Sequence, residues 1–233
     1  ARGVAAREAA RAGVEYATAR MLDPDPRRRW SADGRDYRFA FDAAQVEVSV
    51  RDEQGKIDLN AASHELLRAF FVALGEKREV AARLAGAIVD WRDADSLSPP
   101  AGGAEDADYA AAGLAWGAKD APFETVAELE QVLGMRPVLY ASAARYLTVY
   151  SGNALPDADG ADGIVLQAMG VDRPEPVDPD ALPLAGSGTY SIDSRARRAD
   201  GRSAHVSVIL RLGGNGLPGS AYTPLRWQDG AMP

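Results

Sequence analysis

The sequence predicts an α+β fold in which a helical block is inserted between two groups of strands. Three observations carry this expectation. The first twenty or so residues place apolar side chains at helical spacing. Period-two alternation follows before Leu59 and returns after Gly188. Between these runs, from about Ala61 to Tyr146, the periodicity is helical. Strands on both sides of such a block can share one sheet. Two unrelated domains would leave the last strands without partners.

Each element has its own signal. In ARGVAAREAARAGVEYATARML, Val4, Ala10, Val14, Ala17 and Met21 line one side of a helix and charges fill the other. The pattern starts without an N-cap, as in a trimmed chain or in a surface helix with a frayed start. DPDPRRRW breaks the helix. Tyr37, Phe39 and Phe41 alternate with polar residues, as do Val46, Val48 and Val50, so the two runs around DAAQ read as a hairpin. RDEQGK turns the chain into IDLN. Ser63 is placed to cap a helix carrying Leu66, Leu67, Phe70 and Leu74, with Gly75 at its end. Val80, Leu84, Ile88 and Trp91 mark a second helix. PFETVAELEQVLG predicts a third, with a Thr125–Glu128 capping box and Gly134 as its stop. Pro137 opens a fourth, RPVLYASAARYL, and LTVY reads as a strand. A Pro-, Gly- and Asp-rich loop follows from Ser151 to about Gly188, interrupted by the apolar piece IVLQAM. TYSID and HVSVILRL then flank Asp200-Gly201, a strong hairpin signal. YTPLRW reads as a final short strand, held to an edge by Pro224.

Composition excludes several classes of function. The 233 residues suffice for one large or two small domains. A net charge of −8, with a pI near 4.9, argues against a phosphate-backbone partner. The absence of cysteine removes disulfides and thiol catalysis. His64 and His205 are the two histidines, too few and too far apart in sequence for a zinc site or a histidine triad. Each is expected on a polar surface, His64 in a helix's first turn and His205 on a strand. No apolar run approaches bilayer length, and no GxxxxGK[ST] phosphate loop occurs. The expectation is a protein without catalytic activity.

One stretch asks for a specific chemistry. DWRDADSLSPPAGGAEDADY, residues 90–109, carries five aspartates and one glutamate against the single base Arg92. Asp90, Asp93 and Asp95 leave a helix C-terminus, where free carbonyls make the surroundings electronegative. The Pro-Pro and Gly-Gly turns can bring Glu105 and Asp108 back to the same place. Calcium takes six to eight oxygen ligands of this kind, although the spacing is not that of an EF-hand. A solvated acidic loop is the commoner case on chemistry alone. A glycosidase pair is the third reading, and it lacks the aromatic platform that sugars need; Trp91, at helical spacing, reads as core.

Five ordered motifs, GKIDLNAASHELL, AIVDWRDAD, GAEDADY, APFETVAELEQVLGM and YLTVYS, resemble the K-type minor pseudopilins of type II secretion systems. The resemblance covers roughly Asp33 to Ser151, with the first helix and final strands matching more loosely. It implies a pilin-like helix packed on an antiparallel sheet, with a large helical domain inserted. It assigns residues 1–58 to a truncated pilin helix and first strands, 59–147 to the inserted domain, and 148–233 to the remaining strands and loops. It implies an inner-membrane anchor preceding this part, a periplasmic location in a Gram-negative bacterium, and a place at the pseudopilus tip beside I-type and J-type minor pseudopilins.

The resemblance also implies one or two structural calcium ions. Asp90, Asp93, Asp95 and Glu105 match the family's acidic positions; Asp106, Asp108 and Asp120 are weaker candidates. One departure is ALPDADGADGIVLQAMG, which lacks the asparagines of the family's second LNxA-like motif. The alanines from Ala5 to Ala19 would let neighbouring helices approach closely, or would pack on the chain's own sheet.

The paired helical hairpins also resemble tandem helix-hairpin-helix modules, some of which bind DNA. Charge argues against that alternative. From Ile57 to Arg92 five acidic residues face five basic ones, and from Asp93 to Met135 nine face Lys119 alone.

Overall fold

The computed structural model describes residues 4–95, 102–172, 188–213 and 221–230. In chain order the elements are α1 (Val4–Met21), β1 (Asp33–Phe41), β2 (Ala44–Asp52), β3 (Ile57–Asp58), α2 (His64–Ala73), α3 (Arg78–Arg92), α4 (Asp106–Ala111), α5 (Pro137–Ala143), β4 (Leu147–Thr148), α6 (Gly163–Met169), β5 (Thr189–Arg198), β6 (Ser203–Leu212) and β7 (Tyr222–Gly230). They form two compact units, Ala1–Glu53 with Glu175–Pro233, and Gln54–Pro174.

In the first unit the strands form one antiparallel sheet in the order β1-β2-β5-β6-β7. The strands before and after the helical block therefore do share a sheet. The inward set alternates as period two requires: Val46, Val48 and Val50 on β2, Ile192 on β5, and Val206, Val208 and Leu210 on β6 are buried against Ala6, Ala9, Ala10, Val14 and Ala17 of α1. Small residues are needed here because α1 lies close to the sheet. A Cβ added at Gly13 would fall 2.1 Å from Ser194 Oγ and 3.0 Å from both Val46 and Val48. Two hydrogen bonds, from Arg11 to Asp229 and from Tyr222 to Glu15, each 2.6 Å, tie β7 to α1. Val4, expected on the buried side, is 53% exposed, and Met21 is only partly buried. Ala6 and Ala10 are wholly used by this protein's own sheet.

The β1–β2 connection is tighter than DAAQ suggests. Ala44 already pairs with Phe41, leaving Asp42 and Ala43 as a two-residue turn with φ of 42° and 56°. Left-handed backbone at both positions matches the twist of a hairpin, and side chains other than Gly, Asn and Asp adopt it at a cost. The β5–β6 turn uses the expected glycine, Gly201, at φ 81°. The last strand is longer than YTPLRW: β7 runs for nine residues along the sheet edge, with Pro224 opposite Leu210.

The second unit corrects the expected boundaries of 59–147. It runs from Gln54 to Pro174. IDLN and LTVY supply β3 and β4, which pair in parallel with each other, Ile57 beside Leu147 and Asp58 beside Thr148. IVLQAM forms α6, whose Val165 and Leu166 are buried in the helical core, and α6 packs on α2. Residues 148–172 thus belong to the helical unit because their apolar residues are covered there. The expected third helix is a six-residue 3-10 segment, Val126–Gln131, though its Thr125–Glu128 capping box forms. The fourth helix stops at Ala143 and tightens to 3-10 over Ala144–Tyr146. Ser63 caps α2 through Leu66 N at 3.2 Å. The core gathers Leu67, Phe70 and Phe71 from α2, Leu84, Ile88 and Trp91 from α3, and Tyr109 from α4. The expected Pro-Pro turn at residues 99–100 and the loop at 173–187 lie outside the described residues. Among the described residues no helix is long and apolar enough to cross a membrane.

Ala43→Gly converts the hairpin turn to Asp-Gly and should stabilise the protein by about 0.5–1 kcal/mol. Denaturant unfolding tests this, and a lower midpoint for the variant would contradict the left-handed turn.

Candidate functional site

The site is built on the last turn of α3. Leu84, Ile88 and Trp91 turn one face of this helix into the core, and Asp90 lies in the same buried surroundings, 0% exposed. A buried carboxylate needs hydrogen-bond donors or a cation. One donor is local: Ala104 N–H bonds to Asp90 Oδ2 at 2.7 Å. That bond fixes the returning chain immediately before Glu105. Glu105 is also the N-cap of α4, and its own N–H bonds to Asp108 Oδ2 at 2.9 Å in a capping box.

Held in this way, Asp90, Asp93 and Glu105 converge. One carboxylate oxygen from each lies within 4.8 Å of the others. Asp93 Oδ1 and Glu105 Oε1 are buried and accept no hydrogen bond from any described group. Burial first, and then the charges of Asp95 and Asp90, hold the Asp93 carboxyl above its ordinary range. Burial, followed by Asp90 and Asp120, does the same to Glu105. Neighbouring like charges that hold the carboxyls of Asp93 and Glu105 above their ordinary range make a strained arrangement which a divalent cation would relieve.

The remaining acidic candidates are used differently. Asp95 is exposed and stands outside the trio, although its charge reaches Asp93 and Glu105. Asp106 Oδ1 accepts from Ala118 N at 3.1 Å, and Asp108 serves the cap. Asp120 is exposed, in a left-handed conformation at φ 54°, near enough to raise both Asp93 and Glu105. The local bases are engaged elsewhere. Arg92 donates to the carbonyls of Leu59 and Ala62, the latter at 2.7 Å, and Lys119 donates to Glu128 at 2.8 Å.

Two residues with no assigned role in the sequence hold the second unit together around this site. Asp58, 1% exposed, accepts from Asn60 N at 2.8 Å, Ser151 Oγ at 3.1 Å and Gly152 N at 2.8 Å. Asn60 pairs with the main chain of Phe123, donating from Nδ2 at 2.9 Å and accepting at Oδ1 at 2.7 Å. Phe123 packs beside Trp91, which in turn meets Tyr109, with ring centroids 6.1 and 6.2 Å apart. Burial pushes the Tyr109 hydroxyl up to about 12, and it accepts from Leu133 N at 3.1 Å. The signal in IDLN is a polar pair interleaved with two apolar residues, Ile57 and Leu59, that are both fully buried. His64 is a correction to the surface expectation: its Nε2 lies 3.0 Å from Ala82 O, linking α2 to α3. His205 faces Asp193 at 2.9 Å across neighbouring strands.

Residues 43–152, which include the whole acidic cluster, match the family model for protein K of the type II secretion system (T2SS). The type II secretion system protein K of Pectobacterium carotovorum subsp. carotovorum is 25% identical over 167 residues, covering 61% of this chain and 50% of the relative. The chain therefore spans about half the length of that curated relative. A chain in the crystal structure of the GspK-GspI-GspJ complex from the enterotoxigenic Escherichia coli type 2 secretion system is similar at a TM-score of 0.68 and 16% identity, over 97% of this chain and 94% of that one. A likeness at this identity speaks for the fold alone: mixed helices and antiparallel sheet.

Proposed function

We propose that this chain is a non-enzymatic, K-type minor pseudopilin. On this reading it sits at the tip of a type II secretion pseudopilus, assembles with I-type and J-type minor pseudopilins, and supports protein export across the outer membrane. Its described units lie in the periplasm, and the anchor in the inner membrane precedes them. The observation that carries the reading is the insertion of a protein K domain's helical unit between β2 and β5 of a sheet packed on α1. The non-enzymatic role is supported by the surroundings of the carboxylates. Trp91, Tyr109 and Phe123, the aromatic residues beside them, are at most 3% exposed and offer no platform to a substrate. The DNA-binding alternative gains no support from the family match, and the nine acidic residues between Asp93 and Met135 oppose it.

The same reading gives Asp90, Asp93 and Glu105 a structural calcium ion. Hard carboxylate oxygens are the donor set calcium prefers, and water or carbonyl oxygens can complete six to eight ligands. The buried, unsatisfied oxygens of Asp93 and Glu105 fit this role. Asp95 and Asp120, both exposed, are suited to an outer shell or a second ion. Bound calcium would neutralise the cluster; the protein's part is to hold the oxygens together and to fix α4 against α3.

Two experiments test these claims. Purified domains of the I-type and J-type partners should be retained by this chain. Tyr16→Asp and Ala19→Trp, on the exposed side of α1, should weaken retention at least tenfold, whereas Ala6 and Ala10 report on folding alone. Absence of retention by the unaltered chain would overturn the assembly role. In thermal unfolding, calcium at ~100 times its Kd should stabilise the second unit by about 2.7 kcal/mol. Magnesium should substitute poorly, and Asp93→Ala and Glu105→Ala should abolish the calcium effect. An unchanged midpoint when calcium-loaded protein is chelated would exclude the metal.

A further inference from the structure

We infer that Gly86, which carries no ligand atom, is a positioning residue that sets the geometry of the cation site. The inference rests on the calcium reading above. Gly86 lies one helical turn before Asp90 on α3, so the two residues share a face of the helix. It is buried, and the returning chain crosses directly over it. A Cβ at Gly86 would fall 1.9 Å from Gly102 O, 2.9 Å from Gly102 C and 3.0 Å from Gly103 Cα. These are main-chain atoms, so no side-chain rotation can relieve the overlap. Gly102 contributes from the loop side. Its φ of 94° is left-handed, and a Cβ there would come within 3.3 Å of Arg83 Cγ.

The contact is followed at once by the cation site. Two residues past Gly102, Ala104 N bonds to Asp90 Oδ2. The next residue, Glu105, brings the third carboxylate within 4.8 Å of the other two. The depth at which the loop beds on α3 therefore determines how close Glu105 comes to Asp90 and Asp93. A glycine within a helix is less favourable than alanine. Gly86 is accordingly unfavourable for α3 taken alone, and the close approach of the loop is what it permits. A methyl group at this position lifts Gly102 and Gly103 from the helix, stretches the Ala104–Asp90 bond and moves Glu105 outward. The helix carboxylates keep their places, and the third arm of the site is lost.

The test is calorimetric titration with calcium chloride of the unaltered chain, Gly86→Ala and Gly75→Ala, well below their unfolding midpoints. Gly75 is a control: it too has a left-handed φ, 99°, but a Cβ there meets nothing within 4 Å. Gly86→Ala should bind calcium at least tenfold more weakly. Gly75→Ala, which strains the end of α2, should lower the midpoint and keep the affinity within twofold. If Gly86→Ala fails to fold, Gly102→Ala displaces the same loop residue by another route, its left-handed φ and its 3.3 Å approach to Arg83 Cγ, and should show the same tenfold loss. A folded Gly86→Ala or Gly102→Ala that binds within twofold of the unaltered chain overturns the inference while leaving the calcium site standing. An unaltered chain that takes up no calcium overturns the site and this inference together.

Discussion

Three carboxylates converge at the end of α3, and much of the second unit is arranged around them. Asp90 is completely buried and Asp93 follows it by three residues, both at a helix end whose free carbonyls add further negative potential. Glu105 is then brought to within 4.8 Å. At an effective dielectric of about 20, two unit charges about 5 Å apart repel by roughly 3 kcal/mol. The chain accepts this repulsion in a place where its own bases point elsewhere, Arg92 at the carbonyls of Leu59 and Ala62. On the proposed calcium reading a neutralising cation offsets this repulsion, and carboxylate oxygens suit a hard one.

The same unit shows how a short irregular segment is held in place. Between α4 and α5 the chain has little regular structure: one 3-10 segment and several turns. Asn60 grips it through both main-chain groups of Phe123. Trp91, Tyr109 and Phe123 pack next to one another at the root of the acidic loop. The cluster and the clamp therefore fasten the chain at two points, Glu105 to the end of α3 and Phe123 to the chain entering α2. The first unit follows a simpler rule. Close packing of α1 on the sheet demands alanines and Gly13, and the outward side of α1 is left to charged residues, Tyr16 and Val4.

Much of this was legible in the sequence. The switch from period two to helical periodicity and back marks the insertion, and Ser63, Gly201 and the Thr125–Glu128 box act where their chemistry places them. What escaped depends on tertiary contacts. IVLQAM reads as an apolar piece of loop because only the α2 surface tells where Val165 and Leu166 are buried. IDLN and LTVY are too short for periodicity to reveal that they pair with each other. Within the acidic stretch, spacing along the chain does not distinguish a carboxylate that converges from one that caps a helix. Asp108 and Asp106 are taken up by main-chain N–H groups, and Asp95 stays exposed. Glu105 joins Asp90 because of the Ala104 hydrogen bond, which no sequence pattern announces.

The central claim, that the carboxylate cluster is a calcium site rather than a solvated loop, is tested most directly by anomalous diffraction from crystals grown with calcium. The account predicts a single strong peak within about 2.3–2.6 Å of oxygens from Asp90, Asp93 and Glu105. It is contradicted if, at saturating calcium, the three carboxylates turn apart into solvent with no anomalous density between them.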